Sequence, residues 1–320
     1  MKLKLLLIVL LCACTASAHG QRSASFQDAG PAGRTPGREV GETGYVTFRY
    51  RGQQVRLATV RAEDGNVWLQ QNLGSERVAE DREDSRAYGD LFQWGRWDDG
   101  HQVREPANTR ALPGALHTGT IDPATHPRDP GQVASAGRVP FMYNFPWWWP
   151  SDRPADEWTG RSPADASARR GVDPCAAIGG NWRLPSSADF AAIDRAAVIT
   201  DANGAWQSTL KLPLAGVRDH NTGELQNGDR AGVFWTSSLD GQGNGVAFDA
   251  ASGEIGVNER GVGSSVRCVM TGGAPSAGDA APGAAAFTPA GMQTPDDAML
   301  ARKLEALTRK INERLRNPRN

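Results

Sequence analysis

The sequence has few of the residues that build metal and redox centres. It contains four cysteines and five histidines in 320 residues. His101, His117, His126 and His220 are far apart, and no His-x-x-x-His or His-Glu-x-x-His motif is present. The Gly-x-Ser-x-Gly motif of many serine hydrolases is also missing. The sequence therefore predicts no metal ion, no cofactor and no enzymatic activity.

An excess of one charge is also missing. Lys and Arg number 35 and Asp and Glu number 36, which gives a formal net charge of −1. A dedicated nucleic-acid-binding protein needs a strongly basic face, so we predict no nucleic-acid partner. No apolar run approaches the length of about 18 residues that a transmembrane helix needs. We expect any membrane attachment to occur through a lipid anchor only.

Glycine and proline are abundant, with 37 and 20 residues, and a helical bundle would tolerate few of them. Val46, Phe48 and Tyr50 alternate with polar residues, which predicts a strand. Ser186 and the apolar residues that follow predict one short helix with a serine cap. Further strands are predicted at Val55–Thr59, Val67–Leu69, Leu212–Val217, Val233–Ser237, Gly245–Asp249, Glu254–Val257 and Ser265–Met270.

Residues 1–18 have the pattern of a signal segment, with Lys2 and Lys4 before the apolar run Leu5–Leu11. Two processing sites remain open. Ala16-Ser17-Ala18 fits an ordinary signal peptidase, whereas Leu11-Cys12-Ala13-Cys14 resembles a bacterial lipobox that would leave a lipid on Cys14. Either site predicts an exported protein, which is a lipoprotein of the outer membrane or cell surface in one case and a secreted protein in the other.

Composition divides the rest of the chain into four parts. Residues 19–44 are predicted to be a flexible tether, 45–270 a folded domain, 271–292 a Gly/Ala/Pro linker and 293–317 an amphipathic helix. The apolar stripe of that helix consists of Leu300, Leu304, Leu307 and Ile311. This stripe predicts packing against copies of itself in a coiled coil, and the basic residues beside it leave a role at a membrane surface as the alternative.

Five motifs of the domain recur in a recognisable order. They are Asn66–Leu73, Tyr88–Arg96, Pro174-Cys175 with Gly180–Pro185, Gly232–Ser238 and Ser265–Val269. Together they resemble the Fibrobacter succinogenes major paralogous domain, a family of exported bacterial proteins, over about residues 59–269. The resemblance implies an α+β, C-type-lectin-like or formylglycine-generating-enzyme-like fold, with twisted antiparallel sheets, one or two short helices and long loops. It implies fold and location rather than a reaction.

Cys175 and Cys268 are the two cysteines of the predicted domain. Two cysteines that remain in an exported chain usually pair, which predicts a disulfide. The alternative is a reactive pair. A formylglycine-type oxidase uses two closely placed cysteines, and this sequence lacks that spacing.

The candidate binding site is the loop region around Trp147, Trp148 and Trp149, which Pro146 and Pro150 bracket. Three successive side chains diverge, so at least one ring is expected to be exposed and to suit a sugar ring or a protein partner. Trp158 is predicted to belong to the same ligand-binding surface, with Asp98, Asp99, His101 and Glu105 as its polar neighbours. The open alternatives are rings that pack the loops together and a solvated polar loop. Four other tryptophans are predicted to be core: Trp68, Trp94, Trp182 and Trp235.

These observations predict an exported, surface-tethered, non-catalytic binding module, with polysaccharide or another cell-surface ligand as its partner. The Asp98–Glu105 oxygens could serve sugar hydroxyls or a calcium ion. The alternative is a structural or adhesin subunit that forms homo-oligomers through its C-terminal helix and binds a surface protein.

Overall fold

The computed structural model describes residues 32–104, 116–118, 141–143, 155–167 and 169–271. The strands in these ranges are β1 (Ala32–Arg34), β2 (Thr43–Tyr50), β3 (Gln53–Arg61), β4 (Val67–Leu69), β5 (Phe92–Gln93), β6 (Leu116–Thr118), β7 (Phe141–Tyr143), β8 (Glu157–Gly160), β9 (Arg170–Val172), β10 (Trp182–Arg183), β11 (Val217–Arg218), β12 (Leu225–Gln226), β13 (Val233–Leu239), β14 (Gly245–Asp249), β15 (Glu254–Asn258), β16 (Gly263–Ser264) and β17 (Val269–Met270). The α-helices are α1 (Ser187–Ala197) and α2 (Ala202–Gln207), and 3₁₀ turns span Ser85–Ala87, Pro163–Asp165 and Pro174–Ile178.

Most of these strands pair antiparallel. A six-stranded sheet has the order β1-β2-β3-β4-β17-β10, a four-stranded sheet has the order β12-β11-β16-β5, and a three-stranded sheet has the order β13-β14-β15. Only the two-stranded pairs β6-β7 and β8-β9 are parallel among the described strands. The prediction of antiparallel sheets with few helices is therefore confirmed. In the described part of the chain, no helix is long and apolar enough to cross a membrane.

Two hydrophobic clusters cover opposite faces of β3 and β4. Leu57, Val67 and Leu69 belong to one cluster, which also holds Trp94, Trp182 and Trp235. Val60 and Trp68 face the other way, because successive side chains of a strand alternate between the two faces. All four tryptophans that the motifs contain are fully buried, as predicted.

Helix α1 closes the second cluster. The Ser186 hydroxyl accepts a hydrogen bond from the backbone N–H of Asp189, and the Asp189 carboxylate accepts one from the backbone N–H of Ser186, which forms a capping box. Phe190 and Ile193 lie one helical turn apart and are buried. The Phe190 ring stacks on Phe248 of β14, with 4.8 Å between ring centroids. The predicted helix and its serine cap are confirmed.

Several predicted boundaries are wrong. Strand β1 lies inside the segment predicted to be a flexible tether, because Ala32–Arg34 pairs with β2. Of the predicted strand Leu212–Val217, only Val217 lies in a strand, which is β11. Leu212 and Leu214 are buried in a loop that forms no strand pairing. The predicted strand Ser265–Met270 is interrupted, and helix α2 was not predicted. Residues 1–31 and 272–320 lie outside the described part, so the signal segment, most of the linker and the C-terminal helix stay predictions.

The disulfide between Cys175 and Cys268 is present, as predicted. It joins the 3₁₀ turn Pro174–Ile178 to the segment just before β17, across a sequence separation of 93 residues. Both cysteines are fully buried in the first cluster. The bond therefore connects the middle of the domain to its last strand.

Opening this disulfide should lower the free energy of unfolding by about 4–5 kcal/mol, the loop-closure entropy for a loop of this length. The measurement is urea unfolding of the variant in which both cysteines are replaced by serine, beside the wild type with and without reductant. The reduced wild type should match the variant. If unfolding free energies of the oxidised and reduced proteins agree within error, the bond does not stabilise the domain.

Candidate functional site

Asp99 and His101, two of the predicted ligand-binding residues, are buried and bound to the protein. Asp99 is 0% exposed, and its carboxylate accepts hydrogen bonds from Arg96 Nε at 2.9 Å and from the His101 backbone N–H at 3.0 Å. The imidazole Nδ1 of His101 lies 2.5 Å from the same carboxylate. The opposite ring nitrogen, Nε2, accepts the backbone N–H of Gln93 at 2.9 Å.

These contacts determine what His101 can do. A ring nitrogen that accepts an N–H carries no proton, so Nδ1 holds the proton and donates it to Asp99. Both nitrogens are thus engaged, and neither has a lone pair available for a ligand. Asp99 and His101 are therefore buried among protein partners, and the alternative of a solvated loop does not describe these two residues. Asp99 neutralises the buried Arg96 guanidinium, and His101 donates a hydrogen bond to the same carboxylate.

Trp158 is also not part of an exposed surface. It is 0% exposed, its ring centroid lies 5.4 Å from that of Trp94, and its indole N–H donates to the Val172 carbonyl at 2.7 Å. Trp158 is therefore a core residue and not part of the exposed aromatic surface that was predicted. The ring belongs to the first hydrophobic cluster, in which it packs against Trp94 in the loop after β5.

A second buried ion pair lies beside these rings. Arg260 Nη1 donates to Asp156 at 2.7 Å, and both side chains are almost completely buried. The Arg260 guanidinium lies 4.9 Å from the Trp94 ring centroid, in cation–π geometry. The Arg96–Asp99 pair thus precedes the segment 105–154, and Asp156, the partner of Arg260, follows it. We call these two pairs the base of the loop region.

Asp98 is the one predicted polar residue in the described part that keeps partial exposure. Its carboxylate accepts the backbone N–H of Arg51, at the β2–β3 turn, at 2.9 Å. The Arg51 guanidinium lies 3.6 Å from Asp90, and the Tyr50 hydroxyl donates to Asp90 at 2.8 Å. The backbone N–H of Arg104 donates to the other Asp90 oxygen at 3.1 Å. We call these five residues the Asp90 cluster.

Burial dominates the titration of the Asp90 cluster. It raises the pKa of Asp98 to about 6, although the Arg51 hydrogen bond opposes the shift. The pKa of Asp90 is also raised by burial, against the opposing charge of Arg51. Burial and then the carboxylate of Asp90 raise the pKa of Tyr50 well above its usual value. Burial lowers the pKa of Arg104 to about 10, with a further decrease from neighbouring Arg218.

The remaining predicted site residues, Glu105, Trp147, Trp148, Trp149 and Cys14, lie outside the described residues. Within the described ranges, no group of three or more His, Cys, Asp or Glu side chains is arranged to hold a metal ion. The structure adds residues that the sequence reasoning missed, namely Arg96, Asp156 and Arg260. Arg96 falls in the Tyr88–Arg96 motif, and an arginine inside an aromatic motif was the available signal for it.

A scan against protein-family models, a search of curated proteins and a search of solved structures each found no match to this chain.

The raised pKa of Asp98 makes a testable contribution to stability. The folded protein binds this proton more tightly than the unfolded chain, in which an aspartate has a pKa of about 3.9. The free energy of unfolding should therefore fall as the pH rises from about 4 to about 6. Burial also raises the pKa of Asp173 to about 6, so Asp173 contributes to the same decrease in stability over this pH range. Replacing Asp98 with Asn should make the free energy of unfolding depend less on pH between about 4 and 6, as measured by urea unfolding at several pH values.

The control is Glu254→Gln, which removes one negative charge from an exposed position on β15. A wild-type slope in the Asp98→Asn variant would show that Asp98 does not titrate in this range.

Proposed function

We propose that this protein is an exported, surface-tethered binding module that holds a polysaccharide or another cell-surface ligand on its loop region. The observation that supports this proposal is the base of the loop region. The segment 105–154 begins shortly after the Arg96–Asp99 pair and ends just before Asp156, whose partner Arg260 lies against the Trp94 ring. Binding residues are commonly found on long loops that a rigid scaffold positions.

A rigid base matters because association has an entropic cost. Each side chain or loop that becomes ordered on binding costs part of the interaction free energy, so a loop with fixed ends loses less. Trp147, Trp148 and Trp149 lie in this segment between two prolines. An aromatic face stacks well on the apolar face of a sugar ring, and the proline neighbours restrict the backbone before binding. A C-type-lectin-like fold, which the motif order suggests, belongs to this proposal.

The aromatic residues provide the direct test. Each of the variants Trp147→Ala, Trp148→Ala and Trp149→Ala is measured against a panel of immobilised bacterial and plant polysaccharides. At least one should bind several-fold more weakly, because a stacked ring contributes about 1 kcal/mol beyond its buried area. Thermal unfolding of that variant should match the wild type. Trp206→Ala, at a half-buried ring on α2, is the control and should bind normally.

Loss of the folded domain in all three variants would identify these rings as core residues and contradict the loop proposal. A wild-type protein that binds no member of the panel would contradict polysaccharide as the ligand.

We also propose that a lipid on Cys14 tethers the module to a membrane. The wild type should then sediment with membranes and Cys14→Ser should be found in the soluble fraction, because several acyl chains on one terminus give stable anchoring. Intact-mass measurement of the purified protein provides the check. A mass without any acyl addition would contradict the anchor.

A further inference from the structure

The six-stranded sheet curls around one cavity. Every strand of the sheet contributes to its wall: Gly33 and Arg34 from β1, Tyr45 and Val46 from β2, Thr59 from β3, Val67 from β4, Met270 from β17 and Trp182 from β10. Because the edge strands β1 and β10 line the same cavity, the sheet is bent toward a barrel whose two edges face each other. The cavity has a volume of about 50 Å³. The mouths of such curled sheets are frequent ligand sites.

Two polar groups of this wall are buried and unsatisfied. Thr59 and Trp182 are each 1% exposed. Neither the Thr59 hydroxyl nor the Trp182 indole nitrogen has a hydrogen-bond partner among the residues that the structure describes. A buried polar group without a partner costs about 1–3 kcal/mol. Since the hydroxyl and the indole N–H can both donate, the cavity is suited to a group that accepts hydrogen bonds.

The rim of the cavity is positively charged. Arg34 is exposed, and its guanidinium donates one bond to the Thr43 carbonyl at 3.2 Å. The Glu42 carboxylate accepts the backbone N–H of Glu39 at 2.8 Å. The Arg56 guanidinium lies 3.7 Å from the ring centroid of Tyr45, which lines the same cavity. Arg34 and Arg56 therefore favour an anion at the mouth.

We propose that this cavity binds the carboxylate of an acidic sugar, so that the polysaccharide ligand contains uronic acid residues. This inference rests on the proposed function and narrows its ligand class. A volume of about 50 Å³ admits a carboxylate, whereas the sugar ring would stay outside against Arg34 and Tyr45. The carboxylate accepts from the Thr59 hydroxyl and the Trp182 indole, and hydrogen bonds to an ionised acceptor are about twice as strong as neutral ones.

The test uses the full chain, with galacturonic acid and polygalacturonate as probes and their methyl esters as matched neutral probes. Thr59→Val keeps nearly the same side-chain volume and removes the hydroxyl. Arg34→Gln removes the rim charge. The control Arg49→Gln removes an equal charge from an exposed position of β2, where the guanidinium bonds to the Gly52 carbonyl at 2.9 Å. Titration calorimetry measures affinity, and the indole ¹H–¹⁵N resonance of Trp182, assigned by its loss in Trp182→Phe, reports the site directly.

Galacturonic acid should shift the Trp182 resonance, and its methyl ester should not. Thr59→Val should weaken polygalacturonate binding about tenfold, the equivalent of one lost hydrogen bond to a charged group. Arg34→Gln should weaken it several-fold, and Arg49→Gln should leave it unchanged. The unliganded Thr59→Val protein should be at least as stable as the wild type, because it loses an unpartnered hydroxyl.

Two results would overturn the inference. One is wild-type affinity for polygalacturonate in both Thr59→Val and Arg34→Gln, which leaves polysaccharide binding intact and places it elsewhere. The other is an unchanged Trp182 resonance at saturating galacturonic acid. Failure of the proposed function would give a different result. The wild type would then bind no polysaccharide, while galacturonic acid would still shift the Trp182 indole resonance.

Discussion

The buried guanidinium of Arg267 is the interaction on which the rest of the domain depends. Arg267 is 1% exposed, and no carboxylate of the described residues forms an ion pair with it. Its hydrogens go instead to Asn72 Oδ1 at 2.7 and 3.0 Å and to the carbonyls of Leu69 and Leu210 at 3.2 and 2.8 Å. Burial lowers its pKa to about 9. A desolvated charge is tolerated only with such hydrogen bonds, so three distant segments must meet here.

The same requirement explains how a chain with short strands holds its shape. Arg267 precedes Cys268, so the hydrogen-bond network and the disulfide act on neighbouring residues and together place β17 between β4 and β10. Elsewhere, buried ion pairs fix segments that lack helices and strands. Arg96 pairs with Asp99, and Arg260 pairs with Asp156. Removing one partner of such a pair leaves a buried charge, which costs about 3–5 kcal/mol. The positions of these loops are therefore determined by side-chain ion pairs rather than by the backbone hydrogen bonds of a sheet.

Local patterns predicted the parts of the fold that local forces determine. The alternation of Val46, Phe48 and Tyr50 corresponds to β2, and the Ser186 cap begins α1, because both depend on residues a few positions apart. The burial of the candidate site could not be predicted in this way. The partners of Asp99 are close in sequence, Arg96 three positions away and His101 two, but their burial depends on packing against distant parts of the chain. The Asp156–Arg260 pair, which spans 104 residues, had no local signal. A polar cluster beside tryptophans has the same composition whether it binds a ligand or supports a core.

That ambiguity has a physical resolution in how each polar group is satisfied. Asp99 and His101 have protein partners on every polar atom that the site would need, so a ligand would have to replace strong internal hydrogen bonds. Thr59 and Trp182 lie in the core without a partner among the described residues, so a ligand would add hydrogen bonds without breaking any. Binding free energy is a difference between these two situations. The unsatisfied pair inside the curled sheet is therefore a better location for an anionic group than the saturated acidic loop.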